Sequence, residues 1–76
     1  MLEMKNDIWW REMFAKRLMT MMKSRGLTTK ELSERSGISG KSIREYFKLK
    51  RIPSGYSIYM LAVGLDCSMC ELVSFM

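Results

Sequence analysis

Apolar positions in this chain recur at helical spacing, in runs separated by single glycines and by residues that cap helices. In the first run, IWWREMFAKRLMTMMKSR, Trp10, Phe14, Leu18, Met21 and Met22 follow at steps of four, four, three and one, which draws one buried stripe along a helix. Asn6 or Asp7 caps its start and Gly26 ends it. Thr28 with Glu31 three positions on has capping-box spacing, in which two side chains satisfy two orphan backbone N–H groups reciprocally. That opens a short second helix, which turns Leu32 inward and stops at Gly37. Ser39 caps a third helix, and Ser54, after Pro53, a fourth through YSIYMLAVGL. Ser68 with Glu71 repeats the box and opens the last short helix, MCELVSF. No run alternates long enough to predict a strand, and there is no internal repeat. The fold class is all-α, with five helices.

The third helix divides into two faces. At about 100° per residue, Ile43, Tyr46 and Phe47 share one arc, while Lys41, Arg44, Glu45 and Lys48 share the opposite one. One side packs and the other reaches out. With SGIS as a tight corner, such a helix can be held against its predecessor and project its first turn into a groove about one helix wide, the width of the DNA major groove.

Charge sharpens that picture. The formal net charge is +5, and Lys41, Arg44, Lys48, Lys50 and Arg51 stand within eleven residues against one acid, Glu45. Such a density favours a polyanionic partner, although charge runs often serve only to face water. Seventy-six residues can bury one small core, so the chain is a single domain near the size at which stability leans on good packing or on a second subunit. No apolar run approaches the roughly 18 residues of a membrane span, and MLEMKND has neither signal-peptide nor transit-peptide form. A cytoplasmic, nucleoid-associated protein with no membrane partner is expected.

The run LTTKELSERSGISGKSIREYFKLKRIPSGYSIYMLAVGLDCSMCELV resembles the helix-turn-helix domain of the Cro/C1-type (XRE-like) phage and bacterial repressors. Its more specific pieces are LTTKELSERSGIS, Ile43, Pro53-Ser54 and LAVGLDCSMCEL. The resemblance implies a lambda-repressor-like five-helix fold whose second and third helices bind DNA. It divides the chain into an extension of helix 1 over 1–13 and a DNA-binding domain over 14–76. By that match Gly40, Lys41, Ser42, Arg44 and Glu45 are base-facing, while Thr29, Ser39, Lys48, Lys50 and Arg51 meet the DNA backbone. Thr29 stands where members often carry a phosphate-holding glutamine, so a shorter hydroxyl contact is expected.

Three departures qualify the match. Members often pair an arginine of helix 1 with a glutamate at the end of helix 3, and this chain has Met22 and Phe47 there. Both ends have changed together, as a fold tolerates, because an apolar pair replaces a buried ion pair at little cost whereas one orphaned charge is expensive. Met22 and Phe47 are therefore expected to touch. Leu49 replaces the usual glycine after helix 3, which predicts a longer or differently turned connection through KLKRIP. Gly40 occupies a place often held by a base-reading side chain, leaving more to Lys41 and Arg44.

The remaining chemistry is sparse. Cys67 and Cys70 form a CxxC, but with no histidine and no third cysteine no metal site is expected, and Cys67 reads as a small core residue. There is no phosphate-cradling glycine loop and no grouping of nucleophile, base and orienting residue, so no enzyme and no cofactor are expected. Trp9 and Met13 lie four apart on a flank outside the stripe. They either meet a second subunit or fold back over the last helix, covering Leu72 or Phe75.

The function expected is sequence-specific binding of double-stranded DNA by a transcriptional regulator, a repressor, working as a homodimer on a two-fold operator. The chain ends soon after helix 5, so no attached sensing or cleavage domain is expected. The alternative is a protein-interaction module of the same fold, an antitoxin or phage-coded inhibitor whose basic face binds an acidic protein.

Overall fold

Each helix begins where a hydroxyl or amide side chain takes up a free backbone N–H. The computed structural model describes residues 6–76, so residues 1–5 of the extension expected over 1–13 lie outside the described residues. The elements are α1 (Asp7–Ser24), α2 (Thr29–Ser36), α3 (Gly40–Phe47), α4 (Gly55–Leu65) and α5 (Met69–Leu72). Asn6 accepts from Trp9 N at 2.8 Å, Ser39 from Ser42 N at 3.1 Å, and Ser54 from Ser57 N at 3.1 Å. Both capping boxes form, Thr28 with Glu31 and Ser68 with Glu71. The Thr28 backbone N–H, and its hydroxyl after it, hold the Glu31 carboxyl below the usual carboxylate range. The α1 helix runs unbroken through residues 13 and 14, so the described part of the extension is its first turns.

The helix ends were legible where a glycine stands and harder to foresee elsewhere. Gly26, Leu49 and Asp66 all adopt left-handed backbone, with φ of 63°, 60° and 56°. After α3, Lys50 N donates to Glu45 O at 2.9 Å and Leu49 N to Tyr46 O at 3.2 Å, the paired bonds of a Schellman end. The different turn expected from Leu49 is therefore not found: leucine adopts the conformation that glycine would supply. Left-handed backbone costs an L-residue about 1–2 kcal/mol. Two features offset it, since the Leu49 side chain is half-buried and Arg11 Nη1 donates to its carbonyl at 2.9 Å.

Arg11 is one of three arginines, two on α1 and one at its C-terminal cap, that reach carbonyls at or just past the C-terminal ends of other helices. Arg17 Nε donates to Glu71 O at 2.8 Å, and Arg25 Nε donates to Leu65 O at the end of α4. Helix C-termini carry unpaired carbonyls and the negative end of the dipole, so each arginine satisfies both. Part of the chain's positive charge thus holds the fold together.

The core draws on all five helices: Phe14, Leu18, Met21 and Met22 of α1, Leu32, Ile43, Tyr46, Leu61, Leu65 and Leu72 are buried. Phe14 is stacked on Trp10, ring centroids 5.2 Å apart, and meets Tyr46 edge-on at 5.8 Å. Phe47 packs half-buried against this core, and so does Cys67, whose thiol burial pushes up. Trp9 is half-buried and meets Phe75 edge-on at 6.0 Å, the contact expected if it folds back over the last helix.

Helices α2 and α4 pack tightly at Gly64, where an added Cβ would lie 2.9 Å from Ser36 Cβ and 3.0 Å from Ser36 N. Backbone on one side cannot yield as a flexible side chain would. Overpacking of this kind costs about 1–3 kcal/mol, and alanine recovers about 0.5–1 kcal/mol of helix preference. Gly64→Ala should therefore lower stability by about 1 kcal/mol in urea unfolding. An unchanged midpoint would mean that α2 and α4 separate freely.

Candidate nucleic-acid interface

The corner between α2 and α3 is short because Gly37 takes a left-handed conformation, φ 77°, and its N–H closes on Ser33 O at 2.9 Å. Ile38 packs against the core while its N–H donates to Ser36 Oγ at 3.1 Å, which pins the corner from inside. Ser39 then caps α3. Ile43 and Tyr46 are buried, so the face opposite them has to look outward.

That face carries the expected residues. Lys41, Arg44 and Lys48 lie along α3 and at its C-terminal cap, and Lys50 and Arg51 just beyond it; Lys41, Arg44, Lys48 and Arg51 are exposed. Lys50 is exposed as well. Arg44 turns its guanidinium back over the start of its own helix: a Cβ added at Gly40 would lie 3.2 Å from Arg44 Nη1. Gly40 thus gives up a side chain and leaves room for one. Thr29 is half-buried in the first turn of α2, and Ser39 is exposed but engaged as the cap.

Two residues are placed differently from a simple outward fan. Glu45 is half-buried, with its Oε1 at 3.2 Å from Arg51 Nε, and Arg51 Nη1 donates to Ser42 Oγ at 3.3 Å. Arg51 therefore lies back along α3, beside Ser42 and Glu45. Its position nine residues beyond Ser42 gave no sequence signal of this reversal. On the other side of α3, Phe47 borders a shallow groove with Ala15, Lys16, Met19 and Thr20 of α1.

Residues 12–72 match the model of a helix-turn-helix family, HTH_3. The chain belongs to this helix-turn-helix family. The match takes in α2, the corner, α3 and every site residue from Thr29 to Arg51, while Trp9 precedes it. The fold is similar to the crystal structure of an HTH_3 family transcriptional regulator from Vibrio cholerae, with a TM-score of 0.86 and 21% sequence identity. That similarity covers 92% of this chain and 39% of the other, so the helix-turn-helix chain spans about two-fifths of that protein's length. A comparison with curated proteins finds no significant match. Among the described residues, no helix is long and apolar enough to cross a membrane.

Proposed function

We propose that this chain is a sequence-specific, double-stranded DNA-binding transcriptional regulator, acting as a repressor, with α3 lying in the major groove. The observation that carries the reading is the outward row of Lys41, Arg44 and Lys48, backed by the buried Ile43 and Tyr46. A helix anchored on one side and cationic on the other fits a groove whose walls are phosphate and whose floor is base edges. Lys41 and Arg44, near the start of α3, read bases. Lys48 and Lys50 approach the sugar-phosphate backbone, with Thr29 and Ser39 adding hydroxyl contacts.

Titration of random duplex DNA by fluorescence anisotropy at two salt concentrations tests this. Two phosphate-neutralising lysines predict a slope of log K against log salt of about −2 for each protomer. Failure to bind duplex at either concentration would dismiss the reading and favour an acidic protein partner.

Few base contacts fit on one short helix, so useful specificity calls for two copies on a two-fold site with α3 helices about 34 Å apart. The surface proposed for pairing is the flank of Trp9 and Met13, both half-buried on their own chain. Trp9→Ala should shift the monomer–dimer balance toward monomer in sedimentation with little change in monomer melting. Early melting with parental sedimentation would instead assign Trp9 to the monomer through its contact with Phe75.

A further inference from the structure

Two guanidinium groups converge on the first turn of α3 from different directions. Arg44 returns to Gly40 along its own helix. Arg51 arrives from the α3–α4 connection, held by Glu45 Oε1 at 3.2 Å from its Nε and by Ser42 Oγ at 3.3 Å from its Nη1. Ser42 Oγ is fixed in turn by Ser39 Oγ at 3.1 Å. At about 100° per residue, Ser42 and Glu45 lie on one flank of the outward face, Gly40 and Arg44 on the other, and Lys41 between them.

We infer that Arg51 is a base-reading residue of the DNA interface, and that Glu45 is a positioning residue that aims it rather than a reader of bases. The inference rests on the DNA-binding function proposed above, and it differs from the backbone role that the family resemblance gives Arg51. Three observations carry it. First, Glu45 Oε1 is buried with no aligned hydrogen bond and Arg51 beside it, so that oxygen cannot reach a base while the pair holds. Second, the pair is partly open to solvent through its other atoms, its side chains 25% and 52% exposed for Glu45 and Arg51. Such a pair adds little to stability, and what it does supply is direction. Third, Glu45 neutralises Arg51, which makes Arg51 a poor counter-charge for phosphate but leaves its geometry intact. Neither contact uses the Nη2 donors, and a planar fork suits the O6 and N7 acceptors of guanine.

The experiment selects binding sites from a random duplex pool with the parent protein. The selected site, its single-base variants and random duplex are then titrated with the parent, Arg51→Lys and Glu45→Gln, after circular dichroism has shown all three folded alike. Arg51→Lys keeps the charge and loses the fork. It should bind random duplex within about twofold of the parent, since the charge count is unchanged. Its discrimination at one or two base pairs should fall about tenfold. Glu45→Gln should lose discrimination at those same base pairs while binding random duplex more tightly, because a carboxylate has left the face. Parental base preferences in Arg51→Lys would overturn the inference and return Arg51 to the phosphates. Loss at different base pairs in Glu45→Gln would make Glu45 itself the reader and overturn it equally. A parent that selects no sequence, or binds no duplex, would overturn the DNA reading beneath it, a result visible before any variant is made.

Discussion

Met22→Arg should destabilise the chain by about 3–5 kcal/mol, read as a fall in the urea midpoint at unchanged m-value. Met22 is only 6% exposed, among Phe14, Leu18 and Met21 on the core side of α1, so a guanidinium there would be buried without a counter-charge. Phe47 stands in a different setting. It is half-buried beside the shallow groove that Lys16 also lines, so a carboxylate in its place has water and a cation within reach. Phe47→Glu alone should therefore cost less, about 1–3 kcal/mol. If the two residues meet across α1 and α3, which pack together, the double variant should recover much of the Met22→Arg loss. A double variant no more stable than Met22→Arg would show that they do not touch.

What was legible in the sequence was what depends on neighbours along the chain. Every expected cap forms, at Asn6, Thr28, Ser39, Ser54 and Ser68, because a cap bonds an N–H two or three residues away and needs nothing else. The outward row of Lys41, Arg44 and Lys48 was legible for the same reason, since helical periodicity fixes which side chains share a face. Left-handed ends were legible at Gly26 and Gly37 but not at Leu49 or Asp66, where other contacts have to support a conformation the residue does not prefer. Least legible were bonds between distant residues. Arg11, Arg17 and Arg25 read as undifferentiated positive charge, yet they bond carbonyls 38, 54 and 40 residues away. Arg51 is a further case of that blindness: its charge was visible, but its direction depends on Glu45 and Ser42.

Arg44→Ala should weaken binding to a selected DNA site by about 1–3 kcal/mol and relax the preference at one or two base pairs. Arg44 is exposed, so the loss should appear without a change in melting temperature. Lys50→Ala serves as the contrast. Removing a phosphate-holding cation there should weaken binding to selected and random duplexes alike and flatten the salt slope by about one unit. Gly40 refines the test, because a Cβ there would stand 3.2 Å from Arg44 Nη1, the far end of a flexible side chain. The arginine can swing away, so Gly40→Ala should leave stability nearly unchanged. Displacing the guanidinium from the first turn should nevertheless blunt discrimination at the base pairs that Arg44→Ala affects. If Arg44→Ala instead weakens binding to selected and random DNA equally, Arg44 holds a phosphate, and base reading on that flank falls to Lys41.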